Sequence, residues 1–92
     1  MDFEWDPKKA AINLRKHRIS FYEAASVFRD PLASVYGDPD HSTREQRFLI
    51  VGSSTRGRLL IVGFAERGDR IRLINARTLT RREKKLYEEE DR

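Results

Sequence analysis

The sequence predicts an α+β fold: an antiparallel meander sheet of about four to five strands, with two helices before it and one after it. Three observations carry this. Two Ser/Thr-x-x-Glu helix-start signatures stand at Ser20–Glu23 and Thr80–Glu83, one on each side of the middle of the chain. Between them, from Arg44 to Arg77, apolar residues recur with a period of two rather than 3.6, interrupted at Gly52–Gly57 and Arg67–Asp69. Before them, Asp6-Pro7 pairs a capping side chain with a residue suited to the first helical position.

The elements follow in order. Residues 2–5 alternate, with Phe3 and Trp5 on one side and Asp2 and Glu4 on the other, which reads as a short strand. A helix then runs from Pro7 to about His17, with Ala10, Ala11 and Leu14 on one face and Lys16, His17 and Arg18 complementing its C-terminal dipole. A second helix begins at the Ser20 cap and reaches about Phe28, with Phe21, Ala24, Ala25 and Phe28 inward, and Asp30-Pro31 stops it. Leu32–Tyr36 is a short strand, and residues 37–42 (Gly-Asp-Pro-Asp-His-Ser) form a loop. In the strand from Arg44, Glu45, Arg47, Leu49 and Val51 share one face, and Gln46, Phe48 and Ile50 the other. Leu59–Ala65 is apolar on both faces and is expected in the centre of the sheet. In the last strand, Arg70–Arg77, simple alternation puts Ile71, Leu73, Asn75 and Arg77 on one face and Arg70, Arg72, Ile74 and Ala76 on the other. The final helix carries Leu86 and Tyr87 and ends in a run of acids. Trp5, Phe21, Phe28 and Phe64 are expected in the core, and so is Phe48, although an exposed Phe48 or Tyr36 could stack on bases.

The 92 residues are read as one domain (1–92) with a small core. There is no Cys, which excludes disulfides and thiolate zinc sites. No apolar run approaches the length of a membrane span, and the N-terminus lacks the basic and apolar regions of a signal peptide. A cytoplasmic protein is therefore expected, and a pI near 9.8 favours an acidic partner. The basic charge is concentrated. Eight Arg and no Lys fall between Thr43 and Thr78, against the three acids Glu45, Glu66 and Asp69, so this stretch carries +5. Planar guanidinium forks on a rigid sheet suit phosphate better than ammonium point charges do.

His41 is the first candidate for chemistry, because a histidine's ordinary pKa suits acid or base work near neutrality. Glu45 and Arg47 follow it at +4 and +6 on one strand face. RNA cleavage needs a base for the 2′-hydroxyl, an acid for the leaving oxygen and cations for the phosphorane charge, and His, Glu and Arg can fill those roles. His41 equally fits a loop histidine bonded to Asp38 or Asp40. Arg58, Arg67 and Arg77 lie at strand ends, where they could converge on phosphate or simply be solvated. Arg81 and Arg82 occupy the first turn of the last helix, where positive charge opposes the dipole and a partner phosphate would offset it. His17 reads as structural. No metal is expected: counted from Asp38, the sixth and twelfth positions of a calcium loop are Thr43 and Leu49 rather than Gly and Glu.

These residues resemble BrnT-type toxins. Asp6-Pro7-Lys8-Lys9-Ala10, Asn13-Leu14, Lys16-His17, Ser20-Phe21 and Val27-Phe28-x-Asp30-Pro31 match the first half of that family. Asp38-x-Asp40-His41-Ser42-x-x-Glu45-x-Arg47, Gly57-Arg58, Glu66-Arg67, Ile71-Arg72-Leu73-Ile74 and Ala76-Arg77 match the second, and Thr80-x-x-Glu83 and Tyr87 continue it. Asn75 stands where the family usually has Ser, and Leu79 where it usually has a small residue. The resemblance implies a RelE-like fold and a ribonuclease toxin of a type II toxin–antitoxin module that cleaves RNA without a metal or other cofactor and arrests translation. It implies neutralisation by a BrnA-type ribbon-helix-helix antitoxin, two toxins per complex, and contact with operator DNA only through the antitoxin. It places His41, Glu45, Arg47, Arg67 and Arg77 in catalysis, and Arg58 with them among the matching polar residues. Arg58, Arg72, Arg81 and Arg82 are expected to bind RNA phosphates. The alternative is a non-catalytic subunit that binds antitoxin in an autorepressing DNA-binding complex.

Overall fold

The computed structural model describes residues 1–38 and 45–90. The elements are β1 (Asp2–Glu4), α1 (Pro7–His17), α2 (Phe21–Ser26) with one 3-10 turn after it (Val27–Arg29), β2 (Ser34–Gly37), β3 (Arg47–Ser53), β4 (Leu59–Arg67), β5 (Arg70–Thr78) and α3 (Arg81–Glu90). The five strands form one sheet in the order β1-β5-β4-β3-β2. From β2 to β5 it is an antiparallel meander with β4 central, as the unbroken apolar run of that strand requires. β1 adds itself parallel to the outer edge of β5 but covers only Arg70–Arg72.

The local signals act where the sequence puts them. The Asp6 carboxylate accepts from the Lys8 N–H at 2.9 Å. The Ser20 hydroxyl accepts from the Glu23 N–H at 3.1 Å. α1 closes on Arg18, a left-handed residue with φ 62° whose N–H reaches the Leu14 carbonyl. α2 is shorter than its periodicity suggests: after Ser26 the backbone tightens to a 3-10 turn, which ends at Asp30 before Pro31.

α1 and α2 cover one face of the sheet. Ile19, Phe21, Ala24 and Val27 pack there on Ile50, Leu60, Val62, Phe64, Leu73 and Ala76. Phe3, Phe28, Phe64 and Phe48 form a continuous chain of ring contacts at 5.0–5.4 Å through this layer, so Phe48 serves the core. The stripe that α1 buries is not the expected one. Leu14 and Ala11 are exposed, whereas Ala10, Asn13 and His17 turn inward and Asn13 is almost fully buried. The Asn13 amide donates to the Ile19 and Ala76 carbonyls and accepts from the Ala76 N–H, all within 3.0 Å. One side chain thus pairs with the edge of β5 as a residue of a sixth strand would, where β1 has already ended.

The second departure decides the site. Gly63 faces Asn75 but Phe64 faces Leu73, so Ile74 is an extra residue and β5 carries a bulge. The bulge shifts the alternation. Ile71, Leu73 and Ala76 face the core, and Arg72, Asn75 and Arg77 face the other way together. Unbroken alternation would separate Arg72 from Arg77. No helix among the described residues is long and apolar enough to cross a membrane.

Candidate functional site

The face of the sheet away from α1 and α2 is built in rows. Register places Arg47, Ala65 and Arg72 side by side, then Leu49, Gly63 and Asn75, then Val51, Ile61 and Arg77. At about 3.3 Å of rise per residue, the first and third rows lie roughly 13 Å apart. Around the middle row is a depression of about 280 Å³ bounded by Asp38, Arg47, Ile61, Asn75 and Arg77. Gly63 lies at its floor, where the Asn75 amide crosses the glycine and a Cβ would stand 2.9 Å from the Asn75 side-chain oxygen.

At one end of the depression Glu45 bonds Arg72, and its carboxylate lies 3.5 Å from the Arg47 Nε. These side chains are about 30% exposed, so the cluster faces solvent without being dispersed in it. At the other end Arg77 makes a two-pronged bond to Glu83 of α3, at 2.7 and 2.9 Å. Glu83 also accepts from the Thr80 N–H, and its own N–H donates to the Thr80 hydroxyl, so both arms of the capping box are made. The Arg77 guanidinium, with the Thr80 N–H, holds the Glu83 carboxyl down at about 2, and the same pairing raises Arg77. α3 lies over the β2 side of this face. Its Tyr87 hydroxyl donates to the Leu32 carbonyl at 3.0 Å, and Leu86 and Tyr87 flank a small apolar gap above Val51 and Ile61.

The structure thus brings Glu45, Arg47, Arg72 and Arg77 to one surface. Arg67 closes β4 at the turn into β5 and is exposed. Arg81 and Arg82 open α3 and are exposed as well. His41 lies outside the described residues. Arg58 is not brought to this face. Its guanidinium bonds the buried Glu23 carboxylate and donates to the Arg18 carbonyl at 3.1 Å. Arg58, followed by the Ser54 hydroxyl at 2.7 Å, holds the Glu23 carboxyl below its ordinary value against the opposing effect of burial. Sequence reasoning gives no site role to two residues. Glu83 reads locally as a cap alone, and nothing local shows that Arg77 stands beside it. Asn13 is polar and a poor helix former, but its neighbours three and four residues away are Lys9, Ala10, Lys16 and His17, so nothing local marks it as buried and bonded.

The family model for the ribonuclease toxin BrnT of type II toxin–antitoxin systems matches residues 5–83. This chain belongs to the BrnT family of ribonuclease toxins. A crystal structure of the Brucella abortus ribonuclease toxin BrnT superposes with a TM-score of 0.68 at 20% identity, over 88% of this chain and 99% of that one. The likeness confirms the α+β fold with its mostly antiparallel five-stranded sheet. A search of curated proteins finds no match. Membership implies an antitoxin partner, as type II systems have one. The matched span contains strands β2 to β5 and ends at Glu83, the residue that holds Arg77.

Proposed function

We propose that this BrnT-family chain cleaves RNA on the open face of its sheet by a metal-independent transesterification, and that this cleavage arrests translation in the cytoplasm. The observation that carries the reading is the convergence of Arg47, Arg72 and Arg77 on one face with Glu45 and Asn75 among them, a convergence that depends on the bulge at Ile74. A carboxylate or imidazole takes the proton of a 2′-hydroxyl, that oxygen attacks the adjacent phosphorus, and the 5′-oxygen leaves with a proton. The guanidinium groups neutralise the phosphorane charge, each presenting a planar fork to its oxygens. Glu45, held between Arg47 and Arg72, is one base or acid. His41 is the other, assigned on its sequence position alone. Arg67, Arg81 and Arg82 border this face at solvent-exposed positions and serve the outer phosphates. Arg58, already bonded to Glu23, is left out of the set.

The partner that fits the family is a BrnA-type antitoxin with a ribbon-helix-helix part. Through it alone the complex, with two toxins, meets operator DNA. The competing reading is a silent antitoxin-binding subunit, favoured by one feature: Arg72 and Arg77 already have carboxylate partners in the chain itself.

The test is purified protein with RNA in excess EDTA, beside an Arg77→Ala variant whose melting temperature is matched. Cleavage by the wild type that leaves cyclic or 3′-phosphate ends, reduced at least 100-fold in the variant, is the expected result for a group that stabilises the transition state. RNA left intact by the wild type, with and without ribosomes, would overturn the ribonuclease reading and favour the silent subunit.

A further inference from the structure

A second depression, of about 440 Å³, lies on the far side of β5, between that strand and α1. It opens because β1 pairs β5 only as far as Arg72, and the bulge pushes Ile74 outward just beyond. α1 forms its other wall. Lys9 and Lys16 stand seven residues, or about 10 Å, apart on one face of that helix, with Ile12 between them and His17 beside Lys16. No acid lines the groove among the described residues, and neither lysine has an ion-pair partner there. Ile12 is 56% exposed, which is costly for an isoleucine with nothing against it. Ile74, Asn75 and Arg77 line both this groove and the depression on the open face, so the two meet across the end of β5.

We propose that this groove is a second RNA subsite, holding a nucleotide that flanks the one on the sheet face. Lys9 and Lys16 contact successive backbone phosphates, and the base rests on Ile12 and Ile74. The proposal rests on the reading that the sheet face meets RNA, and it deepens that reading by giving the strand a path over β5 through Asn75 and Arg77. The chemistry favours RNA over a protein strand. A peptide adding to the β5 edge would need the Ala76 N–H and C=O, and Asn13 already holds both. Two ammonium groups flanking an apolar strip suit a phosphate–base–phosphate unit.

α1 supplies its own control. Lys8 and Arg15 have the same seven-residue spacing on another face of the helix and do not line the groove. Binding of a labelled 2′-O-methyl RNA octamer, which has no free 2′-hydroxyl, is followed by anisotropy across a salt series. The full-length wild type is compared with Lys9→Gln/Lys16→Gln and with Lys8→Gln/Arg15→Gln, which make the same change in charge. The groove pair is expected to weaken binding and flatten the slope of log K against log salt by about 1.4, the value for two lost contacts to a single strand. The control pair is expected to change the slope by less than half of that. Equal effects from the two pairs would mean diffuse attraction and overturn the subsite. So would an unchanged slope in the groove pair, including the case where antitoxin binding is weakened instead. An unmodified octamer run in parallel separates this proposal from the ribonuclease reading. Binding that depends on Lys9 and Lys16 without cleavage supports the groove and removes the nuclease. Cleavage with a slope indifferent to both lysines does the reverse.

Discussion

Two capping boxes with the same sequence logic have become two different devices. In Ser20-x-x-Glu23, the serine caps α2, but the glutamate leaves the cap and turns into the protein. Its side chain is only 4% exposed, and it bonds Arg58 and Ser54. In Thr80-x-x-Glu83, both arms of the box close, and the same carboxylate also grips Arg77, with the pair 38% and 34% exposed. Each glutamate takes an arginine near a strand end. In the first pair the carboxylate is buried and Arg58 ties α2 to the β3–β4 turn and the end of α1, so the pair acts as structure. The second lies at the rim of the depression on the open face, with its carboxylate exposed as well. Burial of the carboxylate partner separates the two pairs, since Glu23 is 4% exposed and Glu83 34%, whereas the arginines themselves are alike at 33% and 38%.

The sealed side should break first. Asn13→Ala removes three buried hydrogen bonds and orphans the Ala76 N–H and C=O, and it should cost about 3 kcal/mol in a urea melt. A loss under 1 kcal/mol would mean that water replaces the amide and that the edge of β5 is open, which would also weaken the case against a peptide at that edge. Glu23→Ala should cost less, about 2 kcal/mol and roughly 10 °C in Tm, because Arg58 keeps partial access to water when its partner is gone. If this variant instead lost cleavage at unchanged Tm, the division between a structural and an available arginine would fail.

Glu83 should show the smallest effect on stability and the clearest pH signature. Its pKa falls from 4.5 to about 2 on folding, so the docking of α3 that it supports is fully present above about 4.5 and fades as pH falls through 2. Amide NMR shifts of α3 should follow that titration in the wild type and lose it in Glu83→Gln. A Glu83→Gln protein with an unchanged acid titration of α3 would show that Tyr87 and Leu86 alone hold the helix down.

The sequence could be read for the elements because their signals are local. Asp6-Pro7, Ser20 and Thr80 each set a helix start through bonds spanning two or three residues, and alternation from Arg47 to Val51 was enough to place Arg47 with Leu49. The resemblance carried by Asp38–Arg47 and Ala76–Arg77 was enough to reach the family. Three things could not be read. The bulge at Ile74 inserts one residue and so changes the face of every side chain beyond it, a consequence of pairing with β4 that no pattern within β5 contains. Leu14 looked like the inward residue of α1 by hydrophobicity, but the unpaired edge of β5 needed an amide, and Asn13 is the residue that faces it. Arg58 and Arg77 look alike in the sequence, each basic and near a strand end. Only the packing of α2 against one and α3 beside the other makes the first a strut and the second a candidate for catalysis.

Composition, capping chemistry and period were therefore sufficient for an α+β chain with a basic sheet, and the motif resemblance for its family. Which arginines share a face, which carboxylates hold them, and where a groove opens beside them depend on contacts between residues up to 68 positions apart, as Asp2 is from Arg70. Local sequence sets the backbone's preferences within a few residues, whereas register and burial are properties of the assembled sheet.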